Sequence, residues 1–240
     1  GGEHPGLGTQ GDQPGDVGTV LRVLYLLFNE GYSGDIDLSA EAIRLTRQLA
    51  AQLNEPEVSG LLALMLLHNA RHSARITPSG RLIPLAEQDR SRWDTRQIAE
   101  GVSILQRALA RDRLGPYQTQ AAIAALHADA QTASETDWPQ IVEWYDELLR
   151  IAPSDIVRLN RAVAIGEARG PEAGLAELTG IDPATPRHTA VSAWFHEQTG
   201  DLDLAAREYA EAARRATSEP ERAHLGRQAA RLRALSTDQR

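Results

Sequence analysis

One helix-start device recurs four times along this chain, and it restricts the fold more than any other feature. At Asn54-Glu55-Pro56-Glu57, Asp94-Thr95-Arg96-Gln97, Asp137-Trp138-Pro139-Gln140 and Ser218-Glu219-Pro220-Glu221, a short polar residue stands three positions before Glu or Gln. In all but the second, a Pro falls inside the first turn that would follow. The leading side chain can accept a hydrogen bond from an orphan amide at a helix start, and Pro is tolerated there because its position needs no donor. Ser39 offers a further cap for a helix running to about Leu53. Pro116, Pro153-Ser154, Gly170-Pro171 and Gly200-Asp201 mark other boundaries. Between these points the apolar residues keep a helical period, as where Val20, Leu24, Leu27 and Phe28 share one face. The pattern predicts about a dozen helices joined by short turns, an all-α chain.

The expected arrangement is a right-handed solenoid of antiparallel helix pairs. Residues 1–18 hold seven glycines and two prolines with almost no large apolar side chain, and read as a flexible linker left behind by a preceding domain. Residues 19–136 form an N-terminal helical half, and residues 137–240 carry helical repeats. In the C-terminal part Ala193, Gly200, Ala205, Tyr209 and Ala212 place small, small, small, aromatic and small residues at the spacing of a tetratricopeptide repeat of about 34 residues. Tyr145 with Pro153 offers the aromatic and the helix-ending Pro one repeat earlier. Such pairs cannot bury their apolar faces alone, which is why they come in series. One segment breaks the helical pattern: the Pro78-Ser79-Gly80 turn lies between short apolar stretches and predicts a small hairpin or structured loop near 76–85.

Composition narrows the function classes. The net charge is -8 and every cation is Arg, so the chain lacks the basic surface that holds a phosphate backbone. No direct nucleic-acid contact is expected. There is no Cys, which removes thiolate nucleophiles and Cys-ligated zinc and suits a reducing compartment. The longest apolar run, residues 61–67, is far short of the roughly 20 residues that span a bilayer. With no basic segment leading into an apolar stretch at the start, a cytoplasmic location is expected. No Gly-rich phosphate loop or nucleophile elbow is present, so no enzyme and no cofactor are expected.

Several polar residues interrupt the apolar faces. His68 and His72 stand four apart, a spacing that can share a metal, yet Asn69 occupies the place where a catalytic pair has Glu, so no metal site is assigned. Leu64, His68, Arg71 and Arg75 would lie on one helix face that turns basic at its C-terminal end. Those arginines can serve the helix dipole, or they can line an anion pocket closed by the loop over residues 77–84. Asn29, Glu30 and Tyr32 flank Gly31 after a dense apolar run, and read as a helix C-terminus with a Gly turn. Glu30 invites Arg71 or Arg75 as a buried partner. Tyr117, Gln120, Ala124 and His127 form a polar stripe in an Ala-rich helix, either a groove or a set of satisfied interior hydrogen bonds.

Taken together, several segments resemble a known family. They are residues 25–32 (Tyr-Leu-Leu-Phe-Asn-Glu-Gly-Tyr), 87–94 (Glu-Gln-Asp-Arg-Ser-Arg-Trp-Asp), 115–123 (Gly-Pro-Tyr-Gln-Thr-Gln-Ala-Ala-Ile), Asp137-Trp138 through Tyr145-Asp146, and Pro153-Ser154 with residues 159–164. In this order they resemble the long C-terminal extension, related to tetratricopeptide repeats, of a group of extracytoplasmic-function (ECF) RNA polymerase sigma factors. The likeness runs from about Thr19 to Leu235. The two promoter- and polymerase-binding domains that precede this extension in the family are not in the chain. The resemblance implies a regulatory, protein-contact module acting in transcription initiation. Its partners would be the upstream sigma domains, the polymerase core or a regulatory protein. The expected binding face comprises Asn29, Glu30, Tyr32, His68, Arg71, Arg75, Asp89, Arg90, Trp93, Tyr117, Gln120 and His127. A sensor of a peptide or small metabolite is the alternative, suggested by the polar stripes on the helices around residues 61–75 and 116–127.

Overall fold

The computed structural model describes residues 16–33 and 36–238. Among them twelve α-helices and three single 3-10 turns account for the regular structure, beside one isolated β-bridge. The helices are α1 (Val17–Ser33), α2 (Ile36–Gln52), α3 (Pro56–Asn69), α4 (His72–Arg75), α5 (Thr95–Leu109) and α6 (Pro116–Asp129), then α7 (Trp138–Ile151), α8 (Asp155–Arg169), α9 (Pro171–Leu178), α10 (His188–Gln198), α11 (Leu202–Arg215) and α12 (Glu219–Asp238). None of them is long and apolar enough to cross a membrane.

Most of the caps read from sequence close their helices. The Asp94 carboxylate accepts from the amides of Arg96 and Gln97 at 3.0 and 3.1 Å, Asp137 from Gln140 at 3.1 Å, and Ser218 from Glu221 at 3.3 Å. Three local readings are overturned. Helix α1 already runs from Val17, because the Asp16 carboxylate accepts from Gly18 N and the Thr19 hydroxyl; residues 1–15 of the expected linker lie outside the described residues. Ser39 lies inside α2, buried, with its hydroxyl donating to the Phe28 carbonyl at 3.3 Å. It locks α2 to α1 and does not cap. At Asn54, the N-cap is Glu55, and Asn54 accepts instead from Arg111. Glu57 turns away to the start of α6, where Gly115 brings no capping side chain. Its carboxylate accepts from the amides of Tyr117 and Gln118, both at 3.0 Å, and so supplies that cap from another helix.

Helix α3 is the hub of the N-terminal half. Residues 61–67 are buried to the last side chain, because α1, α2, α5 and α6 pack around them. An all-round apolar helix is stable only when it is enclosed in this way. From α5 onward each helix packs on the next in the chain, through to α11 on α12. Ala193, Ala205, Tyr209 and Ala212 meet in one buried cluster with Leu225, Ala229 and Leu232, and Gly200, at φ +87°, turns the chain between α10 and α11. Small residues at those positions let the helices approach closely. At Gly166 of α8 the approach is tightest: the Phe195 ring of α10 fills the place a Cβ would take.

Between α4 and α5 the chain makes a tight antiparallel turn. Ile76 and Leu82 form the β-bridge, Thr77 N donates to the Arg81 carbonyl at 2.9 Å, and Ile83 N donates to the Arg75 carbonyl at 2.8 Å. Gly80 takes φ +80° at its tip. The segment that follows, residues 81–87, stands beside His224, Arg227 and Arg231 of α12, so this turn brings the two halves of the chain together.

Candidate functional site

A cleft of about 730 Å³ opens between the two halves. Tyr32, His68, Arg71 and Arg75 line its N-terminal wall, and Leu82 to Leu85 form its edge. The facing wall comes from α8 and α10 to α12, through Val163, Glu167, Val191, Trp194, His224 and Leu225.

The basic wall is built on a break in the chain. Helix α3 ends at Asn69 and α4 begins at His72, with Arg71 between them at φ −95° and ψ −2°. The continuous stripe expected through Leu64, His68, Arg71 and Arg75 is therefore bent at Arg71. Leu64 stays in the core, and the other three still meet at the cleft. Tyr32, in the last turn of α1, organises them. Its ring stacks on Phe28 at 5.4 Å between centroids, its hydroxyl donates to the His68 carbonyl at 3.1 Å, and its other neighbours are His72 and the Arg75 guanidinium. Arg75 stands 4.1 Å over the Tyr32 ring and donates to the Tyr32 carbonyl at 2.9 Å.

A second layer lies behind. The Trp93 ring, buried, takes Arg90 at 4.4 Å and Arg71 at 5.9 Å. Arg90 Nη1 donates to the carbonyls of His127 and Ala130 at 2.6 and 2.8 Å, which closes the end of α6. The His127 ring meets Trp138 edge-on at 5.2 Å. Arg71, Arg75 and Arg90 thus share one region with the imidazoles of His68 and His127, and among the described residues none of them forms an ion pair with a carboxylate. Burial, and behind it Arg71, Arg75 and His127, push the His68 imidazole down to about 3. Burial with Arg71 and Arg90 pushes His127 down to about 4. Burial also lowers Arg71 from the usual arginine range; Tyr32 partly offsets this, and Arg75 and Arg90 add to it. A cation removed from water beside like charges is costly unless an anion joins it.

Other expected face residues lie elsewhere. Glu30 is exposed on α1 and pairs with neither Arg71 nor Arg75, because Arg75 is taken up by Tyr32. Asn29 interacts with Tyr25 within α1, away from the cleft lining. Gly31 ends no helix: it lies inside α1, and the absence of a side chain lets the backbone of Leu38 and Ser39 touch it. Asp89 caps the short 3-10 turn Arg90–Arg92, accepting from Ser91 N at 3.0 Å, and so fixes the start of the segment that presents Arg90 and Trp93. Tyr117 packs edge-on against Tyr25 at 5.6 Å, and Gln120 donates to the Pro116 carbonyl at 3.3 Å. These partly buried residues of the α6 stripe are thus engaged in contacts within the fold. His68 and His72 hold no metal-ligand set: among the described residues no three His, Asp or Glu side chains come together in that way.

The facing wall was not visible in the sequence as part of a site. Glu167 stands on α8 with an exposed side chain at the cleft, where partial desolvation raises its carboxyl pKa. His224 on α12 is held below its ordinary value, first by burial and then by Arg227. Trp194 adds an aromatic surface, packed on Phe195 at 4.9 Å.

Residues 16–109 match a family of unknown function (DUF6596). This stretch contains Tyr32, His68, Arg71, Arg75, Arg90 and Trp93, so it takes in the basic wall and leaves out the facing one. An uncharacterized protein of Rhizobium meliloti (strain 1021) is 44% identical over 173 residues, which are 69% of this chain and 41% of that protein. The chain thus matches about two fifths of the length of that relative.

Proposed function

We propose that this chain is a C-terminal regulatory and protein-contact region of an ECF-type RNA polymerase sigma factor. It acts in transcription initiation in the cytoplasm, without chemistry or promoter contact of its own. Its helices form a right-handed tetratricopeptide-like solenoid, a reading supported by the serial packing from α5 to α12. One observation carries the functional reading. The scattered segments that resemble the sigma-factor extension touch one another in space. Tyr25 meets Tyr117; Tyr32 holds the basic wall whose Arg71 reaches Trp93; Arg90 caps the carbonyl of His127, which meets Trp138; and Arg161 pairs with Asp146 at 2.6 Å. Segments far apart in sequence thereby build one contiguous framework beside the cleft. The relative is more than twice as long as its match to this chain, which is room enough for further domains.

The mechanism is a population shift. A partner that engages this region preferentially in one state of the sigma factor moves holoenzyme toward that state, by no more than its difference in affinity for the two. The test is calorimetric titration of this chain with a separately expressed fragment holding two ECF-type sigma domains. Saturable binding supports the reading; no heat and no complex, with the fragment shown to be folded, removes it. A second reading, a sensor of a peptide or small metabolite, is favoured by the size of the cleft, which is in the range of small-ligand sites.

A further inference from the structure

We infer that Arg71 and Arg75 form a binding site for the carboxylate or phosphate group of a small organic anion with an apolar body. The use of that site to regulate a protein partner rests on the reading above; the site itself rests on the cleft alone.

The charges at the cleft are unbalanced. Several exposed arginines find carboxylates, as Arg44 does with Glu41 and Arg222 with Glu219 on helix faces, and Arg113 with Glu55 in the loop before α6. The three arginines around the basic wall make no ion pair among the described residues, although they are less exposed. Arg75 and Arg90 spend donors on backbone carbonyls and lie over aromatic rings. While its backbone bonds to His68 and Ala74, the Arg71 guanidinium makes no hydrogen bond to any described residue. Its only close contact of this kind is with the Trp93 ring. A guanidinium has five N–H donors in a fork that matches two oxygens of a carboxylate or phosphate. Those of Arg71 are uncommitted at the wall of a cleft.

The wall is also preorganised. The Trp93 ring lies behind Arg71 at 5.9 Å, and the Tyr32 ring and carbonyl fix Arg75. Neither arginine needs a carboxylate to hold its place, so the field of both is left for a ligand.

The facing wall sets the ligand class. Val163, Val191, Trp194 and Leu225 offer apolar contact. Glu167 and Glu221 on the same side disfavour a second negative group, which excludes nucleic acid and polyphosphates. The fitting ligand has one anionic end against Arg71 and Arg75 and a hydrophobic remainder against Trp194.

The test is thermal melting of the whole chain with inorganic phosphate and with phenyl phosphate, against sodium chloride at matched ionic strength. Both anions should give a saturable rise in Tm beyond that of the chloride control, with phenyl phosphate acting at lower concentration. In Arg71→Gln the half-saturating concentration should rise at least tenfold. The anion-free variant should melt no lower than the parent chain, because it loses a partly buried charge beside like charges and only one long cation–aromatic contact. Arg75→Gln should also weaken the response, through a residue that the Tyr32 contacts place independently. A rise of the same size in parent and Arg71→Gln, as general exclusion of phosphate from the surface would give, overturns the site. So does an anion-free Arg71→Gln that melts well below the parent, which would make Arg71 a structural group. No partner protein enters this assay, so its failure leaves the sigma-fragment titration untouched, and the reverse holds as well.

Discussion

Arg75 is bound twice by Tyr32, once through the ring at 4.1 Å and once through the backbone carbonyl at 2.9 Å. The pair joins α4 to the end of α1 without using a negative charge. This leaves a cationic wall in place over a cleft, in contrast to surface pairs such as Arg44 with Glu41 and Arg222 with Glu219.

The first prediction separates the parts of Tyr32. Tyr32→Phe keeps the stack on Phe28 and the surface under Arg75, and loses only the bond to the His68 carbonyl. It should cost about 1 kcal/mol of stability. Tyr32→Ala also removes the ring and should cost about 3 kcal/mol or more. Urea denaturation of the two variants reads the difference; equal losses would show that the ring contributes nothing beyond its hydroxyl.

Glu57 gives the second. Its carboxylate is the cap of α6, so Glu57→Ala leaves the amides of Tyr117 and Gln118 without their acceptor. The expected loss is about 1 to 3 kcal/mol, with Glu57→Gln losing less because its carbonyl still accepts. Hydrogen exchange at those two amides should accelerate in the Ala variant and stay slow in the parent.

The third concerns pH. In the fold, burial and the neighbouring cations hold His68 near 3 and His127 near 4, whereas both take a proton near 6.5 when unfolded. Between these values the unfolded chain binds more protons than the folded one, so stability rises with pH. Their contribution is full above about pH 6.5 and is lost as pH falls toward 4 and then 3, at up to about 1.4 kcal/mol per pH unit for each histidine. Carboxylates add their own dependence, so the comparison is between the parent and the pair His68→Gln, His127→Gln. The pair should show the flatter profile between pH 6.5 and about 4; parallel profiles would refute the depression of both groups.

The fourth tests the contact between α1 and α2. A Cβ at Gly31 would collide with the backbone of Leu38 and Ser39. Gly31→Ala should therefore destabilise by about 1 to 3 kcal/mol despite the better helix propensity of Ala. A gain in calorimetric Tm would mean that the two helices can separate at no cost.

How much of this was legible in the sequence differs from residue to residue. Asp94 and Asp137 announced their helices because a cap and the amides it serves are only two or three positions apart. Glu57 could not be read in this way, since the amides it serves belong to a helix about 60 residues later. The His68, Arg71 and Arg75 group was visible as a periodic stripe, although the break at Arg71 was not. The wall holding Glu167, Trp194 and His224 was invisible, because nothing local tells which face of a helix will look across a cleft. Glu30 was misplaced for a related reason. Its charge suggested an arginine partner, and the competing contact, the ring and carbonyl of Tyr32, has no signature in charge pattern.

The most direct test of the account is the affinity of the ECF-type sigma fragment for this chain and for its Arg71→Gln, Arg75→Gln double variant, both shown to be folded by circular dichroism. The expected result is saturable binding by the parent chain and at least tenfold weaker binding by the variant. Equal binding by both would contradict the expectation that Arg71 and Arg75 belong to the face through which this module meets the sigma domains.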